Sequence, residues 1–264
     1  MNGRFCMQTE EEAQGGSEES HDDDFACVES LGRIPPGLHL VATPIGNLRD
    51  ITQRALDTLR SADLVACEDT RHSGMLLKHH GIHARLASLN EHNEAQRIPQ
   101  LIEHIRQGGS VALISDAGMP TISDPGQRLV AATVAAQLHV ESVPGPSAVM
   151  AALAASGLPT TPFYFGGFLP HKKGARTTEL TAALQRDCTS VYFESPYRLV
   201  DTLEILTQAD AQRRIVVARE LTKKFEEFRR GPASILLNHF QSKPPKGEIT
   251  LLVASCEPPK WLVW

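Results

Sequence analysis

The sequence lacks the features that mark several large protein classes. No apolar run reaches the ~20 residues of a membrane-spanning helix, and the amino terminus has no continuous apolar segment typical of signal peptides. The five cysteines are scattered and include no C-x-x-C pair, which argues against a disulfide framework or a zinc site. We therefore expect no membrane association, no metal site and a location in the reducing cytoplasm.

The common catalytic and nucleotide-binding motifs are also missing. The first predicted strand is followed by neither a Walker A lysine nor a G-x-G-x-x-G motif, since Gly46 stands alone there. The sequence contains no G-x-S-x-G elbow and no H-E-x-x-H motif. These absences disfavour ordinary ATP or NAD binding, serine-hydrolase chemistry and zinc-protease chemistry.

Negative charge is concentrated near the amino terminus. Residues 1–36 contain nine acidic residues and two arginines, a balance of −7 within a total of −5, so the remaining residues carry +2. This first segment is rich in Glu, Ser, Gly and Asp and poor in apolar residues, which predicts disorder. The rest of the chain is compatible with an anionic partner without requiring one.

From about residue 37 onward, short apolar runs alternate with helical patterns, which predicts an α/β fold with a parallel-rich sheet. The predicted strands are 38–42, 64–67, 85–89, 111–115, 140–143, 163–165, 190–194, 214–219, 224–228 and 248–254. The predicted helices are 50–59, 74–80, one ending before Gly108, 125–138, 148–155, 176–185, 196–206 and 233–240.

The Pro- and Thr-rich segment 158–162 indicates a domain boundary near residue 160. We therefore expect four parts in the chain. They are an acidic tail over 1–36, an amino-terminal α/β domain over 37–159, a carboxy-terminal α/β domain over 160–255 and a tail over 256–264.

Three helix starts carry recognisable signals. Asp50 and Gln53 have a spacing like that of a capping box, and Ser147 precedes an alanine-rich segment. Asp124 is followed by Pro125, as an N-cap is often followed by proline at the first helical position. We expect Asp50, Asp124 and Ser147 to cap helices.

Four predicted strands end in loops dense in small or polar residues, namely 43–47, 68–71, 115–126 and 144–147. The carboxyl ends of parallel strands meet at one edge of a sheet, where open α/β sheets bind ligands. Glu68, Asp69 and Asp116 are therefore expected at that edge. Tight, well-capped turns are the alternative explanation for such loops.

Eight blocks of the sequence match, in order, those of one known family. The blocks are 41–48, 67–71, 92–94, 115–126, 144–148, 167–170, 193–196 and 219–223. Over roughly residues 37–255, the chain resembles the ribosomal RNA small subunit methyltransferase I family, a tetrapyrrole-methylase-like (class III) group. It departs from the family pattern at Met119, which is usually Thr, and at Tyr197, which is usually His.

The resemblance implies two αβα domains, with a parallel-rich sheet in the first, a mixed sheet in the second and a ligand cleft between them. It implies S-adenosylmethionine as the methyl donor, 2′-O-methylation of a cytidine in the decoding region of 16S rRNA, the small ribosomal subunit as partner and a homodimer. Such a reaction depends largely on positioning, with a general base to take the hydroxyl proton.

By the same resemblance, the donor contacts come from both domains. The expected donor-binding residues are Pro44, Ile45, Gly46, Asp116, Ala117, Gly118, Met119, Ser147, Ala148, Phe168 and Gly247. Asp116 accepts hydrogen bonds from the amino-acid portion of the donor, or else stabilises its own turn. The helix start at Ser147 supplies N–H donors to a carboxylate.

The acceptor side is drawn from other polar residues in the matching blocks. The expected catalytic residues are Glu68, Asp69, Arg71, His92, Glu94 and Lys223, with Asn93 and Glu220 in the same blocks. Arg71 and Lys223 suit phosphate or developing charge. The general base is one of Glu68, Asp69, His92 and Glu94. The alternative is that these residues form an internal ion-pair network.

Basic residues are found mostly in the second half of the chain. They are Lys172, Lys173, Arg176, Lys223, Lys224, Arg229 and Arg230. We expect this half to carry much of the RNA-binding surface, because RNA binding needs phosphate contacts. Otherwise they form an ordinary solvated surface.

Two other functions fit the same motifs. One is a methyltransferase of the same fold that acts on a tetrapyrrole or on a residue of a translation factor. The other is a non-catalytic ribosome-assembly factor that retained the fold. Saturable binding of S-adenosylmethionine separates an enzyme from the second of these.

Overall fold

The computed structural model describes residues 32–257, and every structural statement below concerns this part of the chain. The acidic tail predicted over 1–36 and the tail predicted over 256–264 lie almost entirely outside the described residues. Within the described range, no helix is both long enough and apolar enough to cross a membrane.

The first sheet is built from five strands that all pair in parallel. They are β1 (Gly37–Val41), β2 (Leu64–Cys67), β3 (Leu86–Ser88), β4 (Ser110–Ile114) and β5 (Val140–Val143). Their order across the sheet is β3-β2-β4-β1-β5, so the carboxyl ends of β1 and β4 are neighbours. The predicted parallel sheet is confirmed.

Helices cover both faces of this sheet. The four helices are α1 (Gln53–Ser61), α2 (Thr70–His79), α3 (Glu94–Arg106) and α4 (Gln127–Ala135). Successive strand residues point to opposite faces, so Val65 and Cys67 pack with α1 and α2 while Ala66 packs with α3 and α4. Burial on both faces explains why these strands are apolar without alternation.

The second sheet is mixed, as the resemblance implied. Its strands are β6 (Phe163–Phe168), β7 (Thr189–Glu194), β8 (Arg214–Arg219), β9 (Glu227–Pro232) and β10 (Ile249–Val253). The order is β6-β7-β10-β8-β9. Strands β6 and β7 pair in parallel, and the other neighbours pair antiparallel.

The helix that joins the two sheets in sequence, α5 (Ala148–Ser156), covers one face of the second sheet. Its Ala152 and Leu153 are buried against strand residues that include Val191 and Leu252. The other face is covered by α6 (Lys173–Gln185), α7 (Leu199–Ala209) and α8 (Ala233–Ser242). Helix α5 thus packs on the sheet that follows it, and the domain boundary near residue 160 stays a prediction.

The cap predicted at Asp50 is wrong. Asp50 lies in a short 3-10 turn, and the side chain of Thr52 caps α1 by accepting a hydrogen bond from the Ala55 N–H at 3.1 Å. Gln53 is the first residue of α1, and its side chain bonds Asp57 instead of a backbone N–H. The 3-10 turn places Asp50 two residues before the cap position.

The cap predicted at Asp124 is also wrong, because α4 begins at Gln127 after Gly126. Thr121 and Ser123 adopt left-handed backbone angles, with φ of 73° and 70°, so the loop is not helical up to this point. Gly126 has a φ of 116°, and a side chain there would collide with Leu113. The predicted cap at Ser147 is confirmed, since its hydroxyl accepts from the Met150 N–H.

Several other bounds differ from the predictions. Helix α7 begins after the turn that joins Ser195 to Arg198, so Pro196 does not open it. Helix α2 begins four residues before the predicted start, and Asp69 caps it. Strand β6 continues through residues 166–168, three residues beyond its predicted end, and β9 begins three residues later than predicted.

Replacing Thr52 by Ala is expected to lower the free energy of unfolding by about 1 kcal/mol, because it leaves an N–H at the start of α1 without its partner. Asp50→Ala is the matched control, and a change within about 0.5 kcal/mol is expected for it. Urea denaturation of both variants measures the difference. Equal losses would contradict the assignment of Thr52 as the cap.

Candidate active site

A cavity of about 510 Å³ lies at the carboxyl ends of the first sheet's strands and is bounded on its other side by strand and loop residues of the second half. This volume is typical of a small-molecule site. Most of the residues expected to bind a donor line it. They are Ile45, Asp116, Ala117, Gly118, Met119, Ser147, Ala148, Phe168 and Gly247.

The loop after β1 is joined to the loop after β4 by a short antiparallel bridge. The Thr43 N–H donates to the Gly118 carbonyl at 2.9 Å, and the Gly118 N–H donates to the Thr43 carbonyl at 3.1 Å. The buried Thr43 hydroxyl also donates to the Ser115 carbonyl at 3.1 Å. Gly118 has a φ of 88°, which favours glycine, so the residue type is required by the turn.

Pro44 and Gly46, also expected as donor contacts, do not line the cavity. Pro44 is buried, and Gly46 packs so closely on the aliphatic part of Lys223 that a side chain at residue 46 would collide with it. The glycine therefore permits contact between the loop after β1 and the loop after β8.

Lys223, expected on the catalytic side, is held by two carboxylates. Its Nζ lies 3.0 Å from Glu220 Oε1 and 2.9 Å from Glu248 Oε2. Partial burial opposes the charged form, but hydrogen bonds to Glu248 and Glu220 outweigh this effect and raise the pKa of Lys223. Lys223 does not line the cavity, although Glu248 does.

Three carboxylates line the cavity on the side of the first sheet, namely Glu68, Asp116 and Asp124. One oxygen of Asp116, Oδ1, is buried and has no hydrogen-bond partner among the described residues. Partial desolvation raises the pKa of Glu68, and the negative charges of nearby acidic residues, Asp116 first among them, act in the same direction. The cavity therefore has a strongly acidic wall with unused acceptor capacity.

Burial raises the pKa of Asp124 to about 6. A hydrogen bond with the Ser115 hydroxyl acts against this shift, and the negative charges of Glu68 and Asp116 add to it. The sequence prediction treated Asp124 as a helix cap. Its place at the cavity could not be predicted from the local pattern, since Asp before Pro is also an ordinary helix-start signal.

Asp69 and Arg71, both expected as catalytic residues, do not line the cavity. Asp69 caps α2 through the Arg71 N–H at 2.8 Å, and its carboxylate pairs with the Arg71 guanidinium at 3.0 Å. The hydrogen bonds from the Arg71 side chain and backbone hold the pKa of Asp69 down at about 2. A carboxylate with such a low pKa is a weak proton acceptor.

His92 and Glu94 line a separate groove of about 520 Å³, together with Glu91 and residues 124–128. Glu94 is buried, its Oε1 has no hydrogen-bond partner within residues 32–257, and its Oε2 lies 3.8 Å from the Arg128 Nε. His92 is largely exposed to solvent. Asp124 lines both the groove and the cavity.

The second half supplies apolar and polar parts of the cavity wall. Phe168 is 61 % exposed and its ring packs against Phe193 at a centroid distance of 5.2 Å. Glu194 is buried and bonded to the Thr202 hydroxyl at 2.6 Å and to the Arg198 guanidinium at 2.8 Å. These contacts fix the end of β7 beside the cavity.

For many of the lining residues, the sequence predicted no donor-binding or catalytic role. They are Ile122, Ser123, Asp124, Val149, Phe193, Glu194, Ser195, Pro196, Leu221, Glu248, Ile249 and Thr250. Some of them, such as Glu194 and Pro196, belong to blocks that match the family. Their position at the end of a predicted strand was the feature of the sequence that could have identified them as cavity residues.

Four of the seven basic residues expected to bind RNA are already engaged. Arg176 is buried and donates to two carbonyls of the preceding loop, and Arg230 donates to the Ala155 and Ser156 carbonyls. Arg229 pairs with Glu227, and the pairs of Lys223 are given above. Among the described residues, no ion pair involves the other three, which are Lys172, Lys173 and Lys224.

Backbone strain is concentrated in two loops at the cavity. Five non-glycine residues in the described range have a left-handed φ, and four of them belong to the loops after β4 and β8. These four are Thr121, Ser123, Glu220 and Thr222. Such angles cost of order 1–3 kcal/mol each and are typical of functional sites.

Comparison with known proteins agrees with this geometry. Residues 37–236 match the family described as Tetrapyrrole (Corrin/Porphyrin) Methylases. The chain belongs to this methylase family. Within it, a protein of Mesorhizobium japonicum named ribosomal RNA small subunit methyltransferase I is 50 % identical over 226 residues, which are 85 % of this chain and 77 % of that protein.

A methylase of the same name from a Synechocystis species is 46 % identical, over 84 % of this chain and 80 % of the relative. Among solved structures, diphthine synthase superposes with a TM-score of 0.67 over 84 % of this chain and 91 % of its own, at 16 % identity. At this identity, the similarity to diphthine synthase is one of fold alone. The α/β fold with one parallel and one mixed sheet is therefore that of the methylase family.

Proposed function

We propose that this methylase transfers a methyl group from S-adenosylmethionine to the 2′-oxygen of a cytidine ribose in 16S rRNA of the small ribosomal subunit. The observation that carries the proposal is the 50 % identity to a named rRNA small subunit methyltransferase I over most of both chains. The lining of the cavity by the same sequence blocks adds support.

The residues of the cavity fit S-adenosylmethionine. The unpartnered Asp116 Oδ1 can accept from an ammonium group, and the N–H groups at the start of α5 can donate to a carboxylate. Apolar side chains such as Ile45 and Phe168 can contact the adenine and the methylene groups. When bound, the donor supplies a methyl group activated by its sulfonium charge.

The protein has to exclude water and align the acceptor oxygen, because the donor already carries the activation. The bridge between Thr43 and Gly118 and the ion pairs of Lys223 hold the cavity loops in place. Fixed loops reduce the entropy lost on reaching an in-line geometry. A carboxylate must also accept the proton of the 2′-hydroxyl.

Of the four residues predicted as general base, Glu68 is the one that lines the cavity. Asp69 serves as a helix cap and has a low pKa, and His92 and Glu94 lie in the groove. Because Glu68 lies at the cavity and two other candidates lie in the groove, the proposed acceptor site includes both the acidic wall of the cavity and the adjoining groove. The homodimer and the cytoplasmic location stay predictions.

The function is tested by transfer of labelled methyl groups to small ribosomal subunits that lack the modification, followed by mapping of the methylated ribose. Label on one cytidine 2′-oxygen is the expected result. Label on a translation factor or a porphyrinoid instead would favour the alternative substrates. Failure to bind S-adenosylmethionine saturably would favour a non-catalytic assembly factor.

Asp116→Asn is expected to weaken donor binding at least tenfold, because the amide presents one acceptor oxygen without charge to a cationic ligand. Isothermal titration with S-adenosylmethionine measures the effect. Asp187→Asn, at an exposed position away from the cavity, makes the same chemical change and should leave the affinity unaltered. Similar affinities for all three proteins would remove Asp116 from the donor site.

The free lysines at the start of α6 are expected to contact RNA phosphates. Charge reversal in Lys172→Glu/Lys173→Glu should weaken RNA binding and lower the slope of log K against log salt by about 1 per lost contact. Acidic residues are favourable at a helix start, so folding is preserved.

The double variant Lys78→Glu/Arg97→Glu makes the same change in net charge on exposed helices of the first half. It serves as the control, and anisotropy titrations with a 16S rRNA fragment at several salt concentrations give the slopes. Equal slopes for both double variants would contradict an RNA surface in the second half.

A further inference from the structure

The groove formed by Glu91, His92, Glu94 and residues 124–128 adjoins the cavity, and Asp124 is the described residue that lines both. Glu68 and Asp116 line the cavity but not the groove. A ligand in the groove and a ligand in the cavity would therefore meet at Asp124. With a methyl donor in the cavity and an acceptor in the groove, Asp124 would lie between the two.

The groove has the polar groups that suit a nucleotide. The Arg128 side chain is largely exposed and can contact phosphate, and the exposed His92 ring can stack on a base. Glu94 is buried with one oxygen unpartnered in the described chain, and a carboxylate accepts from the amino group of cytosine. The start of α4 above the groove has no side-chain cap.

Asp124 is partly buried at a cost that its hydrogen bond with the Ser115 hydroxyl does not offset. It does not cap α4, and none of the ion pairs found within residues 32–257 neutralises it, whereas two more carboxylates lie beside it in the cavity. The loop that presents it is strained at Thr121 and Ser123. Strain and unfavourable charge placement together are typical of a residue retained for function.

We propose that the groove holds the acceptor nucleotide and that the Asp124 carboxylate takes up the proton of its 2′-hydroxyl. The inference rests on the proposed function. The O–H bond breaks and its proton passes to Asp124, while the oxygen bonds to the methyl carbon. The carbon–sulfur bond of the donor breaks, its electron pair stays on sulfur, and the proton leaves Asp124 to water.

The pKa of Asp124, about 6, suits this role, because at neutral pH the carboxylate is mostly ionised yet still basic enough to accept a proton. The charged and titratable groups that share the cavity or the groove with it are Glu68, Asp116, Glu91, His92, Glu94 and Arg128. From the second half, Glu194 is paired with Arg198 and Glu248 with Lys223. Activity should therefore fall as the pH decreases below about 6.

Asp124→Asn is expected to lower kcat at least 100-fold while the affinity for S-adenosylmethionine stays within threefold of wild type. Glu68→Gln should move the acidic limb of the pH profile to lower pH, because it removes a negative charge that raises the Asp124 pKa. Asp187→Asn is the control for the amide substitution. The substrate is the small ribosomal subunit lacking the modification.

A stability measurement separates catalysis from a structural role. The pKa of Asp124 in the folded protein is raised above its ordinary value of 3.8, so ionisation destabilises the fold above pH 6, and this cost disappears as the pH falls towards 4. Asp124→Asn should therefore have a higher Tm than wild type at pH 8, with a smaller difference at pH 5. A structural hydrogen bond predicts a lower Tm.

An active wild type together with an active Asp124→Asn variant would overturn the role of Asp124 and leave the proposed function intact. Loss of donor affinity in parallel with kcat, or a lower Tm at pH 8, would also overturn it. Loss of activity in Glu68→Gln but not in Asp124→Asn would transfer the role to Glu68. A wild type that methylates no small subunit would reject both the function and the inference.

Discussion

The pairing of Thr43 with Gly118 is the contact on which the cavity depends. Strands β1 and β4 are neighbours in the sheet, so the loops that follow them leave at adjacent points. Two backbone hydrogen bonds and the buried Thr43 hydroxyl then fix one loop against the other. Since buried backbone groups must be paired, the loops cannot separate without losing these bonds. The position of Asp116 follows from this constraint.

Helix α5 extends the same constraint to the second half of the molecule. Its start, at Ser147, forms part of the cavity wall, while its body is buried against the second sheet. The strained loops after β4 and β8 are held by the Thr43–Gly118 pairing and by helix α5. The cost of their left-handed residues is offset by the apolar cores on both faces of each sheet.

Regular structure was largely predictable from the sequence, and the site was predictable only in part. The bounds of Leu64–Cys67 match the prediction, because a short apolar run between turn residues determines a strand locally. The start of α4 does not match its prediction, because the packing of Gly126 against Leu113 determines where this helix begins. Likewise, Glu68 lines the cavity, whereas the adjacent Asp69 caps α2. No local sequence pattern distinguishes these two roles.

The charge distribution of the cavity bears on how a methylase of this kind would release its product. Glu68, Asp116 and Asp124 lie together at its wall, and ionising Asp124 there is unfavourable because of its burial and the negative charges of the other two. A cationic ligand relieves that repulsion. Under the proposed function, methyl transfer converts a sulfonium cation into a neutral thioether and delivers a proton to the acidic wall. Loss of the sulfonium charge weakens the attraction between the spent donor and the carboxylates of Glu68 and Asp116, so the groups that favour binding before the reaction also favour release after it.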